Sequence, residues 1–180
     1  MKEAAGKLLV FLHNPRGLLL IIALYCASLL LFAFILVRLT DLVPCPLCIV
    51  QRFFYAFVGL SAIMGYVGWW SWLSTRLAGA AVTVFSAIGW AVAARHVYLQ
   101  HFQEVDHASG CAVSFGSFLD DFIFALGGTG NCAIIDWTFL GLSIADWSFI
   151  AFMGLTAAGS WIYLKSRPTD VSMKNTGVAV

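Results

Sequence analysis

The chain has 180 residues, of which 61% are hydrophobic and 11% charged, and its formal net charge is +1. Globular domains run at roughly 45–50% apolar and about 25% charged residues, so this composition argues against a soluble fold. Near-neutral charge, with no Lys/Arg cluster interleaved with aromatics, excludes a nucleic-acid-binding protein.

The apolar residues fall in four long uncharged blocks, at 18–37, 53–75, 77–94 and 147–164. Each approaches or exceeds the ~18–20 residues that cross about 30 Å of hydrocarbon. An all-α integral membrane protein is therefore expected, a bundle of four transmembrane helices at about 17–38, 49–72, 77–97 and 146–165. They form one domain, 1–166, with a polar, disordered tail at 167–180.

Lys2, Lys7 and Arg16 precede the first block. That block is too long for the ~7–15-residue apolar core of a signal peptide, and no small-residue cleavage site follows it, so it reads as a retained helix. Cys26 within it reads as an inert, small hydrophobe. A short first loop, 39–48, carries Asp41 and ends in Pro44-Cys45-Pro46-Leu47-Cys48, with Arg52 four residues further on.

The second block closes on Gly65, Gly68, Trp69, Trp70 and Trp72, an aromatic belt of the kind found at headgroups. Small residues at four-residue spacing, Ser61/Gly65, Gly89/Ala93 and Gly154/Ala158, are expected to let helices approach closely. Arg76 separates the second and third blocks.

A long second loop, 98–145, follows the third block. It is acidic and contains Cys111 and Cys132. Its stretch 113–126 mixes Phe115, Phe118, Phe122 and Phe124 with Asp120 and Asp121, the pattern of a short helix lying on the membrane surface. Lys165, Arg167 and Lys174 follow the last block. By the positive-inside rule both termini are cytoplasmic, and both cysteine-bearing loops face the opposite side.

Two thiols at Cys-x-x-Cys spacing can staple a loop, bind a soft metal or shuttle electrons. A bridge over two intervening residues removes little chain entropy and is a poor staple. Strained or exposed disulfides are the exchangeable ones. Cys48 starts a helix, where the dipole and free N–H groups favour a thiolate, and Arg52 lies on the same face at i+4. Cys111 and Cys132 lack metal-ligand spacing, and His96, His101 and His107 form no metal motif, so no metal is expected. The three histidines read as interfacial polar residues.

With these motifs in order, the chain resembles the DsbB family of bacterial inner-membrane disulfide bond formation proteins. The match rests on Cys45-Pro-Leu-Cys48-Ile-Val-Gln-Arg52, on Arg95-His-Val-Tyr-Leu-Gln-His101, and on Gly130-Asn-Cys132 with Trp137, Phe139-Leu140-Gly141-Leu142 and Trp147. The segment before Cys111, Asp106-His-Ala-Ser-Gly, lacks the proline expected there.

The resemblance implies a membrane thiol:quinone oxidoreductase that reoxidises a periplasmic, DsbA-like thioredoxin-fold protein. It implies redox disulfides Cys45–Cys48 and Cys111–Cys132, with Cys48 as the thiolate nearest a ubiquinone or menaquinone. Cys111 would exchange with the partner, and Arg52 would bind the quinone, with His101 as a second candidate there. Two alternatives stand beside it. One is a four-helix membrane scaffold whose loop disulfides are only structural. The other is a vitamin K epoxide reductase-like protein, in which the Cys-x-x-Cys lies late in the chain.

Overall fold

The computed structural model describes residues 14–40, 45–68, 75–102, 132, 135 and 137–166. Cys111, the expected surface helix at 113–126, the tryptophans at 69, 70 and 72, and the tail at 167–180 lie outside these residues. Among the described residues four helices form: α1 Pro15–Thr40, α2 Pro46–Val67, α3 Thr75–Phe102 and α4 Ile144–Lys165. All four are long and apolar enough to cross a membrane. Leucine and phenylalanine side chains such as Leu24, Leu31, Phe34 and Leu60 stand exposed on the exterior. A surface this apolar is stable against lipid, not water.

Local chemistry sets the helix ends. Pro46 is the first residue of α2, where a missing N–H costs nothing, and Cys45 caps it with Sγ accepting from Cys48 N at 3.3 Å. α2 therefore starts at 46, earlier than the expected 49. It stops at Val67, short of the expected 72, because Gly68 turns left-handed (φ 62°) and its N–H closes on the Met64 carbonyl. α3 continues to Phe102, five residues past the expected end, which makes Gln100 and His101 helical as well as His96. Ser143 and Asp146 form a capping box at the start of α4.

One element was not foreseen. Thr138–Phe139 (β1) pairs antiparallel with Leu142–Ser143 (β2). The turn is Leu140-Gly141, both at positive φ (53° and 80°), as tight hairpins require.

Sequential helices pack antiparallel, α1 on α2, α2 on α3 and α3 on α4, while α1 and α4 touch little. The core runs through Leu19, Cys26, Val58, Ala62, Val82, Phe152 and Ile162. Cys26 is fully buried there, facing Gly59, as expected of an inert core thiol. Gly65 and Gly89 serve the close approaches expected of them, against Ala78 and the Phe152 ring respectively. Gly154 does not: it is exposed, with nothing within 4 Å of where a Cβ would be. Its place is taken by Gly159, whose Cβ would stand 2.9 Å from the Thr83 backbone nitrogen on α3. Midway along the same pair, Thr156 donates to Ser86 across the interface at 3.0 Å.

Candidate functional site

The weak contact between α1 and α4 leaves a cavity of about 370 Å³ at the end of the bundle that holds Cys45 and Cys48. Most of its wall is apolar: Leu29, Leu30, Phe32, Ala33, Leu36 and Val37 on α1, and Ile144, Trp147 and Ala151 on α4. The hairpin closes it with Trp137 and Phe139, whose rings stack at 6.0 Å, and Trp147 Nε1 donates to the Phe139 carbonyl at 3.1 Å. Opposite these lies a polar strip of Cys45, Cys48, Gln51, Arg52, His96 and Gln100. Arg52 is the one Lys or Arg among the described lining residues.

The sulfurs of Cys45 and Cys48 are not bridged and lie 2.8 Å apart, with Cys45 Sγ–H donating to Cys48 Sγ. That hydrogen bond, reinforced by burial, pushes the Cys45 thiol well above the ordinary thiol range. Cys48 stands in the first turn of α2, where the helix dipole favours negative charge.

Cys132 is also at this site. It is 1% exposed, disulfide-bonded, and packed in one cluster with Cys45, Leu47 and Leu99. Cysteines separated by more than eighty positions therefore share one small core, although this proximity is not written in either loop.

His96 was expected at the interface and is instead buried, 2% exposed. Its Nε2 lies 3.6 Å from Cys45 Sγ, the Gln51 amide nitrogen is 3.3 Å from Nδ1, and the ring hydrogen-bonds the main chain of Cys132. Gln100 reaches Nε2 at 3.5 Å and accepts from Ser143 Oγ at 2.7 Å. His101, the sequence candidate for the cavity, is absent from its lining and pairs outside it with Asp146 at 3.3 Å. One turn of helix explains the exchange, since His96 and Gln100 share the face turned inward and His101 the next face round.

The sequence reading missed Gln51, His96 and Gln100. A signal was present, because polar side chains inside a membrane span are costly and stand as functional candidates by default. Gln51 also follows Cys48 by three residues, on the same face.

Comparison with known proteins agrees with this geometry. The family model "Disulfide bond formation protein DsbB" matches residues 15–162. A "Disulfide bond formation protein B" of Saccharophagus degradans is 40% identical over 156 residues, 83% of this chain and 93% of its own length. That of Polaromonas naphthalenivorans is 40% identical over 157 residues, covering 81% and 90% of the two chains. That of an Azoarcus species is 32% identical over 163 residues, covering 86% and 96%. The match spans all four helices and the cysteine cluster, and this four-helix membrane oxidoreductase belongs to the DsbB family of disulfide bond formation proteins.

Proposed function

We propose that the chain oxidises a periplasmic DsbA-like dithiol and delivers the electrons, through two cysteine pairs, to a quinone in the cavity between α1 and α4. The observation that carries this is the cavity itself. It has the volume of a small-molecule site, apolar walls for a ring and isoprenoid tail, and two thiols with one arginine at its polar side. The gap between α1 and α4 gives a lipid-soluble molecule a lateral way in. The Lys/Arg bias toward Arg16, Arg76 and Lys165 supports cytoplasmic termini and a periplasmic cysteine end, in the inner membrane.

In this reading the partner's thiolate attacks Cys111, forming a mixed disulfide and freeing Cys132. Cys132 attacks Cys45, with which it shares a packed cluster; the Cys45–Cys48 bond breaks and Cys48 leaves as thiolate. The partner's second thiol resolves the mixed disulfide and departs oxidised. Cys111 then recovers Cys132 from Cys45, which takes up a proton. A bound quinone supplies the oxidising power, accepting two electrons and two protons and leaving as quinol. Arg52 favours the Cys48 thiolate and negative charge developing beside it, in surroundings where such charges are poorly screened. His96, held by Gln51 and Gln100, stands within reach of Cys45 to pass its proton onward. The Cys45–Cys48 bond re-forms once the pair has given up its electrons.

Purified protein, ubiquinone and a reduced thioredoxin-fold dithiol should show quinone consumption, followed by its ultraviolet absorbance. Cys48→Ser should abolish it; undiminished turnover in that variant would reject the relay and leave the loop disulfides purely structural.

A further inference from the structure

Cys45, Cys48 and His96 form a set of three metal-ligand atoms that the sequence did not reveal, because His96 comes from α3. All three lie within 4.8 Å of one another. We infer that the reduced Cys45–Cys48 pair and His96 make a redox-gated site for a thiophilic divalent cation of the zinc class.

The geometry is close to what such an ion requires. With Zn–S near 2.3 Å and Zn–N near 2.0–2.1 Å, a tetrahedral site sets sulfur and nitrogen about 3.5 Å apart and two sulfurs about 3.8 Å apart. Cys45 Sγ and His96 Nε2 are already at 3.6 Å. The two sulfurs, at 2.8 Å, have to separate by about 1 Å. Cys45 sits at a helix cap rather than inside a helical turn, where such a side-chain adjustment is least opposed.

The neighbours of the imidazole also suit a ligand. Ser143 donates to Gln100 Oε1, which turns the Gln100 NH₂ toward His96 Nε2. For Nε2 to take a metal ion the proton of the neutral ring has to be on Nδ1, where the Gln51 amide accepts it once turned to present its oxygen. Metal-bound histidines are oriented by an outer hydrogen bond of this kind. The cavity in front of the sulfurs leaves room for a fourth ligand, so the site is three-coordinate by protein and open to exchange.

Binding replaces protons. Two thiols lose one proton each, the neutral imidazole loses none, and the two thiolates neutralise the dication. No electrons move. Oxidation of the pair to its disulfide removes both thiolate ligands, so metal and disulfide exclude one another. A bound cation would hold the pair reduced and stop its electron transfer. The inference depends only on the reduced pair and not on the quinone reading.

The test uses the full-length protein in detergent, reduced by a non-chelating phosphine, with Cd²⁺ and Co²⁺ as probes. One equivalent of Cd²⁺ should bind with a thiolate-to-metal charge-transfer band and release two protons, and Co²⁺ should give the intense visible bands of a tetrahedral site. The Cys111→Ser/Cys132→Ser double variant should bind equally, and air-oxidised protein should not bind. His96→Gln should weaken Cd²⁺ by at least about tenfold, the lower end of what even an outer partner contributes. Unchanged affinity in His96→Gln, or loss of binding in the double variant, overturns the assignment. Should the glutamine variant not fold, His96→Cys supplies a third thiolate and must bind Cd²⁺ at one equivalent; failure to do so also overturns it.

Discussion

The two ends of the bundle are built on opposite plans. At the end away from the cysteines, backbones touch: Cβ atoms placed on Gly79 and Gly159 would meet the backbone nitrogens of Tyr163 and Thr83, both at 2.9 Å. Arg76 caps that end by donating to Tyr163 Oη at 3.3 Å, its guanidinium over the same ring. At the cysteine end α1 stands off α4, a cavity opens, and polar groups (Gln51, His96, Ser143) are buried, His96 between Gln51 and Gln100 and Ser143 against Gln100. The contrast teaches that one end of this protein holds the fold while the other trades packing for chemistry. In lipid there is no hydrophobic drive between helices, so dense van der Waals contact at the closed end has to supply the association.

Breaking the closed end should have the largest effect on stability. Gly159→Leu forces a side chain into the α3 backbone, and overpacking of this kind costs about 1–3 kcal/mol or more. Unfolding titrations in mixed micelles should show it, with Gly154→Ala, where a Cβ meets nothing, as a control within about 0.5 kcal/mol of wild type. Equal losses in the two variants would refute the close approach at Gly159.

At the open end the effect should fall on activity. Arg52→Ala should raise the apparent KM for quinone by roughly tenfold or more, the worth of one charged hydrogen bond at about 1.5–3 kcal/mol, with little change in unfolding. An unchanged KM would leave Arg52 as a side chain that merely reaches toward headgroups.

The smallest effect is expected from Ser143→Ala, which removes the α4 cap and the hydroxyl that orients Gln100. Loss of a cap costs about 1 kcal/mol, readable in the same titrations. Turnover should fall as well if Gln100 holds His96 in place. A stability loss with unaltered turnover would make Ser143 a cap and nothing more.

Much of this plan was legible from residues alone. Long apolar blocks announce membrane helices because no other short element satisfies its backbone in hydrocarbon. Pro46 and Cys48 mark a helix start, although the thiol of Cys45 acting as the cap set that start earlier than expected, at Pro46. The hairpin before α4 was missed because its strands are two residues each and half of its turn is a leucine at positive φ, a conformation leucine seldom adopts. Choosing Gly154 over Gly159 was an error of face: both lie on α4, and spacing alone cannot say which side meets α3. That His96 and Gln100 line the cavity while His101 pairs with Asp146 beside it was hidden for the same reason.

By itself the sequence determined the four spans and the pairing of two thiols with a cation one turn away, because those depend on neighbours along the chain. The family's order of motifs could likewise be read from it. Only the tertiary structure decided that Cys132 lies against Cys45, that His96 faces the thiols, and that α1 and α4 part to leave a cavity beside them. Those facts join residues far apart in the chain, and their juxtaposition depends on which helix faces pack, something no local pattern encodes.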